Sequence, residues 1–256
     1  MKQLKTFENT IKYYELTMTL DDLESTQTYP LPQNFKFAFW QNDKDTQSWI
    51  DIHLSTGEFA SYIDATKTFK SFYNDFLQEL YKRMIFIEDE KGKKIATATL
   101  SPSDDKSYPC VIDWFAVSKD CQGKKLAKPL LSKIIEIAKK LGYDKILLHT
   151  QTNSWLAAKI YLDFGFEPKN ILQKEGWNIL KTITNHPKLN NFPAISEDEI
   201  FDPLIVKIEN YLSSIYDKFD YSVWYANDRN DIYVHANDNF YEYKFFDNAN
   251  KIIQTK

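Results

Sequence analysis

Residues 111–166 alternate between strand and helix patterns, and this alternation constrains the fold more than any other feature. The run Val111–Val117 is apolar except for Asp113, which is typical of a central strand covered on both faces. A polar loop follows and opens onto a helix whose apolar positions recur at intervals of three and four. A strand at Lys145–Thr150 and a helix at Ser154–Phe164 come next. The order is typical of an α/β fold.

Further elements are predicted on either side of this unit. Apolar spacing over Asp64–Arg83 predicts one long helix, and Gly92 marks the tight turn of a hairpin. A short helix is expected to start after Gly176. The other predicted elements before residue 190 are strands at Tyr13–Leu20 and Phe35–Trp40 and a helix at Asp45–Ser55 ended by Gly57.

The last quarter of the chain differs in composition from the rest. Residues 191–256 carry twelve acidic and six basic side chains and no glycine. We therefore predict two domains, residues 1–190, including an N-terminal strand extension over 1–34, and an acidic unit over 191–256. In the second, Asp202 and Pro203 begin a helix, three strand-like runs follow, and Lys251–Gln254 is a candidate fourth strand.

Composition excludes several classes of protein. The net charge of −4 argues against a protein that coats nucleic acid. Cys110 and Cys121 form no CxxC motif or disulfide framework, and the four histidines lack metal-ligand spacing, so no metal is expected. No signal peptide or transmembrane segment is recognisable, and we predict a cytoplasmic protein without a membrane or nucleic-acid partner.

The loop Gln122–Ala127 is the first candidate binding site. It leads from a buried strand directly into a helix, so its backbone N–H groups would converge at the positive end of the helix dipole. Lys124, Lys125 and Lys128 lie beside it. The arrangement suits a pyrophosphate, although many such turns bind only water.

The sequence of this region resembles the acetyl-CoA-binding core of the GNAT N-acetyltransferases. That family's loop pattern is Gln/Arg-x-x-Gly-x-Gly/Ala, which Gln122 and Ala127 match, while Lys125 replaces the middle glycine. A later signature is present as Ala157 and Tyr161, followed by Gly165-Phe166. Over about residues 13–190, order and spacing are similar to one bacterial GNAT subgroup.

The resemblance implies a GNAT fold, with a mixed central sheet flanked by helices, and the small C-terminal α-β-β-β unit lies outside it. It also implies acetyl-CoA as cosubstrate. The pantetheine arm would lie where the Phe115–Val117 strand splays from Lys145–Thr150, with N–H groups near Phe115 or Ala116 polarising the thioester carbonyl. The cofactor-binding residues expected from it are Phe115, Ala116, Val117, Gln122, Gly123, Lys124, Lys125, Leu126, Ala127, Ser154 and Ala157.

The resemblance implies a catalytic role for Tyr161, whose phenol would protonate the leaving thiolate, although a tyrosine there is also an ordinary packing residue. An attacking amine must be neutral, so a carboxylate is needed to accept its proton, directly or through water. Asp113, a lone charge in an apolar strand, and Glu58 are the candidates, and either is equally consistent with a structural carboxylate. His149 and Ser154 are candidates for orienting water or cofactor.

These observations predict an N-acetyltransferase acting on a small or protein amine. The alternative is a catalytically weak acyl-CoA sensor, favoured by Lys125, whose acidic C-terminal unit recruits a partner. That unit is also a candidate for completing the sheet or for forming the interface of a homodimer.

Overall fold

Seven strands form a mixed sheet in the order β2-β3-β4-β5-β6-β1-β7, in which β5 is central. The computed structural model describes residues 4–59, 61–169, 174–225, 230–237, 239–246 and 251–256. The strands of this sheet are β1 (Glu15–Leu20), β2 (Lys36–Phe39), β3 (Met84–Glu88), β4 (Lys94–Pro102), β5 (Cys110–Val117), β6 (Ile146–Gln151) and β7 (Glu167–Pro168).

Helices cover both faces of the sheet. Because side chains alternate along a strand, Ile85 and Ile87 of β3 lie in one core while Phe86 lies in the other. The first core includes α4 and α5, and the second includes α1 and α2. The helices are α1 (Asp43–Ser55), α2 (Tyr62–Tyr73), α3 (Leu80–Arg83), α4 (Ala127–Lys140), α5 (Trp155–Asp163), α6 (Lys174–Thr184), α7 (Glu197–Ile200) and α8 (Pro203–Ser213).

The central strand β5 separates from its parallel neighbour β6 halfway along its length. Pairing is limited to Val111 with Leu147 and Ile112 with Leu148, although both strands continue beyond these residues. On its other side, β5 has one extra residue relative to β4 between Asp113 and Ala116. This bulge turns the end of β5 away from β6. The predicted splay is therefore present, and we call the opening between the two strand ends the β5–β6 gap.

Two sequence-based predictions are corrected. The helix expected over Asp64–Arg83 ends at Tyr73, and a 3₁₀ segment with non-helical backbone at Phe76 (φ −134°) separates it from α3. Gly176 lies inside α6, and a Cβ there would come within 2.8 Å of the Leu16 side chain. The glycine thus permits close packing of α6 on β1, which periodicity does not reveal.

The C-terminal residues form a separate four-stranded antiparallel sheet in the order β11-β10-β9-β8, packed on α8. Its strands are β8 (Phe219–Tyr225), β9 (Asn230–Ala236), β10 (Asn239–Phe246) and β11 (Lys251–Gln254). The fourth strand is confirmed, whereas the expectation that this unit completes the central sheet is wrong. Most of the predicted turn at 227–230 lies outside the described residues.

The N-terminal segment contacts both units. Asn153 Nδ2 donates to the carbonyls of Glu8 and Ile11, each at 2.9 Å, and thereby fixes the segment to the start of α5. On the other side, Lys5 Nζ is 2.6 Å from Glu209 Oε1 on α8. No helix of the described residues is long and apolar enough to span a membrane. The boundary near residue 190 stays a prediction.

Candidate active site

The candidate phosphate loop at the start of α4 has a backbone suited to an anion. Gly123 (φ +79°) and Lys125 (φ +61°) both adopt the left-handed region. The N-cap residue, Leu126, supplies no side-chain hydrogen bond to the helix, and no acidic residue lies in its first turn. The helix N-terminus therefore keeps donor groups and positive dipole charge available to a ligand.

Lys125 keeps the conformation that a glycine would adopt. A left-handed backbone costs a non-glycine residue about 1–2 kcal/mol. The buried Leu126 side chain anchors the loop beside it, while residues 122–125 are exposed. The replacement of the family's glycine therefore leaves the loop geometry intact.

Three side chains of the loop and of the first turn of α4 make contacts within the chain. Gln122 Nε2 donates to the Val117 carbonyl at 3.3 Å. Lys128 Nζ lies 3.3 Å from Asp163 Oδ2, and Lys124 Nζ lies 3.5 Å from Cys121 Sγ. The charge of Lys128 is thus partly neutralised, whereas Lys124 and Lys125 remain exposed beside the helix N-terminus.

Tyr161 on α5 packs against Phe115 at the bulged end of β5, in the core formed with α4 and α5. Their ring centroids are 5.9 Å apart in an edge-on arrangement. Tyr161 is only 6% exposed, but its hydroxyl oxygen, which makes no hydrogen bond to the described residues, is not among the fully buried atoms. Burial first, and then the charge of Glu58, raise the pKa of Tyr161 above its usual value. Its phenol is therefore protonated at neutral pH.

The two candidate carboxylates lie in different surroundings. Glu58 is exposed at the surface in the segment between α1 and α2, although neighbouring protein desolvates its carboxylate and raises its pKa. Asp113 is half-buried, and desolvation raises its pKa while the neighbouring Ser101 hydroxyl and His149 ring act in the opposite direction. Of the two carboxylates, Glu58 is the one whose charge contributes to the raised pKa of Tyr161.

The other predicted site residues also border the gap or the adjoining start of α5. Ala116 is buried, Val117 is half-buried, and Ala157 packs against the first core. Ser154 Oγ accepts from Gln151 Nε2 at 3.0 Å just ahead of α5. His149 is exposed, and its Nδ1 lies 3.3 Å from Thr17 Oγ1.

An aromatic cluster that the sequence did not single out holds the β5 bulge. Trp114 has φ +51°, which is strained for a bulky residue. Its ring stacks on Phe59 at 5.2 Å and also contacts Trp49 and His53, each at 5.3 Å. Since Phe59 follows Glu58, the stack joins the bulge to the segment that carries the carboxylate. The alternation of inward and outward side chains along β5 does not reveal this contact, because the bulge interrupts the alternation at residue 114.

His53 lies within this cluster and is fully buried. Burial lowers its pKa to about 3, so the imidazole is neutral at physiological pH. Among the described residues, no group of three or more His, Cys, Asp or Glu side chains is arranged to hold a metal ion.

The splayed central strands and the loop at the start of α4 are the two features that the resemblance to the GNAT acetyltransferases predicts. Residues 17–166 match the model of the Acetyltransferase (GNAT) family, which is more than half of the chain. The chain therefore belongs to the GNAT acetyltransferase family, whose members transfer acyl groups from acyl-CoA. No curated protein matches the chain.

Solved structures share the fold at low identity. A GCN5-related N-acetyltransferase from Sphaerobacter thermophilus is 13% identical with a TM-score of 0.50, over 62% of this chain and 49% of that one. A GNAT-family acetyltransferase from Colwellia psychrerythraea is 16% identical with a TM-score of 0.46, over 63% and 55%. Each match spans about half the length of the solved structure, and the first, at 13% identity, shows the fold alone.

Proposed function

We propose that this chain is an N-acetyltransferase that transfers an acetyl group from acetyl-CoA to a primary amine by direct attack. The observation that carries the proposal is Tyr161, a mostly buried tyrosine beside the bulged end of β5 that is subject to the charge of Glu58. Its hydroxyl makes no hydrogen bond to the described residues and is not among the buried polar atoms without a partner, so the oxygen is open to a ligand.

The chain's own residues supply binding and proton transfer. The loop Gln122–Ala127 would hold the pyrophosphate, and main-chain groups of β5 near Phe115 or Ala116 would hold the pantetheine arm and the carbonyl oxygen. Val117, Ser154 and Ala157 would border the arm. Acetyl-CoA supplies the activated thioester.

In the transfer step, the C–N bond forms as the C–S bond breaks. Glu58 accepts the proton that the amine nitrogen loses, directly or through a water, with Asp113 as the second candidate. Tyr161 gives its hydroxyl proton to the thiolate sulfur. The raised pKa of Glu58 suits it to this role, because a base with a pKa nearer the working pH accepts a proton more readily.

The test is acetyl-CoA binding by calorimetry, followed by detection of free CoA thiol with a panel of primary amines. Saturable binding together with amine-dependent thiol release is expected. Binding without release for any amine would instead support the sensor alternative. That alternative is weakened because Lys125 keeps the loop conformation. A cytoplasmic location, a homodimer and the role of residues 191–256 remain predictions.

A further inference from the structure

Residues 5–12, which we call the N-terminal brace, lie between the start of α5 and the C-terminal unit. Asn153 Nδ2, just ahead of α5, donates to three carbonyls of the brace, at 2.9, 3.2 and 2.9 Å, those of Glu8, Asn9 and Ile11. Trp155 Nε1, in the first turn of α5, donates to the Lys5 carbonyl at 2.8 Å. Because Asn153 is only 5% exposed, its bonds are shielded from water and hold the brace firmly on α5.

The opposite side of the brace is bonded to the C-terminal unit. Asn9 Nδ2 donates to the Tyr221 carbonyl of β8 at 2.9 Å. Lys5 Nζ is 2.6 Å from Glu209 Oε1 of α8. Two main-chain hydrogen bonds, at 2.9 and 2.8 Å, also join the brace to the junction of α7 and α8. The brace therefore links the C-terminal unit to α5 through polar contacts on both of its sides.

Two features that would otherwise fix the start of α5 are missing among the described residues. Pairing of β6 with β5 stops at Leu148, three residues before β6 ends and the chain turns into α5. Ser154, the N-cap residue of α5, supplies no side-chain hydrogen bond to the helix. The start of α5 thus depends on contacts from the side away from the β5–β6 gap, and the brace supplies them.

The helix held in this way contributes to the proposed cosubstrate site. Ser154, Ala157 and Tyr161 all belong to α5 or its N-cap. Because the start of α5 adjoins the β5–β6 gap, a shift of this helix changes the space left for the pantetheine arm. The C-terminal unit also reaches the other border of the site, since Asp220 of β8 forms an ion pair with Lys119 in the turn that leads into the phosphate loop.

We propose that the C-terminal unit positions the start of α5 for acyl-CoA, and that it acts through Asn9 and Lys5 of the N-terminal brace. The proposal rests on the cosubstrate site of the proposed function, and it gives residues 191–256 a role that the transfer chemistry does not require. In the free protein, these contacts hold α5 in the arrangement that acyl-CoA binds, so binding has less of the chain to order. Asn9 and Lys5 are therefore positioning residues.

The first test is Asn9→Ala, with Asn239→Ala as the matched control. Alanine removes the bond to Tyr221 but keeps the carbonyl that accepts from Asn153. Asn239 Nδ2 donates to the Asn237 carbonyl, also at 2.9 Å, within the C-terminal unit, so both variants lose the same kind of bond. Calorimetry should show a Kd for CoA that is roughly three- to tenfold higher in Asn9→Ala and unchanged in Asn239→Ala. Equal Kd values in the two variants would overturn the proposal.

The second test is Lys5→Ala, with Lys251→Ala as the control. Lys5→Ala removes the ion pair with Glu209 and leaves the main-chain bond to Trp155 in place. Lys251 is exposed on β11, at the edge of the C-terminal sheet farthest from β8, so its loss changes the net charge equally. The Kd for CoA should rise roughly two- to fivefold in Lys5→Ala alone. A lower Tm in Lys5→Ala with an unchanged Kd would show a purely structural contact and contradict the positioning role.

Hydrogen exchange tests the link in both directions and separates it from the proposed function. In free Asn9→Ala, amides in the second turn of α5 should exchange roughly three- to tenfold faster than in the wild type and in Asn239→Ala. In the wild type, saturating CoA should slow exchange in β8, because coupling between two sites is reciprocal.

The outcomes of this experiment are distinct. Faster α5 exchange in Asn9→Ala without any binding of CoA would support the link to the C-terminal unit, while the proposed cosubstrate site fails. Unchanged exchange in α5 and in β8, in a protein that binds CoA and transfers acetyl groups, would overturn the positioning role alone.

Discussion

Replacing Tyr161 with phenylalanine removes one oxygen atom from the proposed general acid. Because that hydroxyl has no hydrogen-bond partner among the described residues, its loss breaks no contact in the free protein. The ring keeps its packing against Phe115 and Phe166, both at 5.9 Å. We therefore expect the free energy of unfolding to change by no more than about 0.5 kcal/mol, or to rise slightly.

The effect of Tyr161→Phe on the rate should be large. A general acid contributes about 10²- to 10⁴-fold, which corresponds to roughly 3–5 kcal/mol of activation free energy. The affinity for acetyl-CoA should stay the same, because the hydroxyl acts on the sulfur only as the thiolate leaves. Single-turnover thiol release at saturating acetyl-CoA measures the chemical step directly.

Tyr143→Phe is the matched control for this experiment. Arg83 Nη1 donates to the Tyr143 hydroxyl at 3.2 Å, so this variant should lose up to about 1 kcal/mol of stability. Tyr143 lies past the C-terminal end of α4, about 20 Å along the helix from the phosphate loop, and its rate should not change. An unchanged rate in Tyr161→Phe, or equal losses in both variants, would refute the role of Tyr161.

Three more predictions test the loop, the carboxylate and the aromatic stack. Lys125→Gly should raise the free energy of unfolding by about 1 kcal/mol, because glycine adopts the left-handed backbone without strain. Lys124→Gly loses the same charge but relieves no such strain, so its free energy of unfolding should not rise. Chemical denaturation of both variants measures the difference. The folded state raises the pKa of Glu58, so ionisation of this carboxyl lowers the stability of the protein as pH rises through that pKa. Glu58→Gln should therefore raise Tm at pH 7 but not at low pH. The same variant should release less thiol. Phe59→Leu removes the ring that stacks on Trp114 and should shift the acidic limb of the plot of kcat/KM against pH. Phe69 contacts Trp49 and not Trp114, so Phe69→Leu should lower stability without shifting that limb.

Much of the fold follows from local sequence signals. The apolar run of β5, the loop ending at Ala127 and the 3.6-residue periodicity of α4 each depend on neighbouring residues, and all three lie where the patterns place them. The break at Phe76 could not be predicted in the same way. The apolar spacing continues through it, and only tertiary packing selects a 3₁₀ segment there.

In the candidate site, a motif marks Tyr161 and a lone charge in an apolar strand marks Asp113, and their roles stay predictions. Trp114 gave no such signal and was missed. A bulge aims its ring into the aromatic cluster, and the strand pattern alone does not reveal a bulge.

The most direct test of the account is the reaction of the wild-type protein with acetyl-CoA and a panel of primary amines, followed by mass spectrometry and thiol detection. The account predicts one N-acetylated amine for each CoA thiol released, at a rate that falls at least 100-fold in Tyr161→Phe. Saturable acetyl-CoA binding with neither thiol nor acetylated product, for every amine tried, would contradict it.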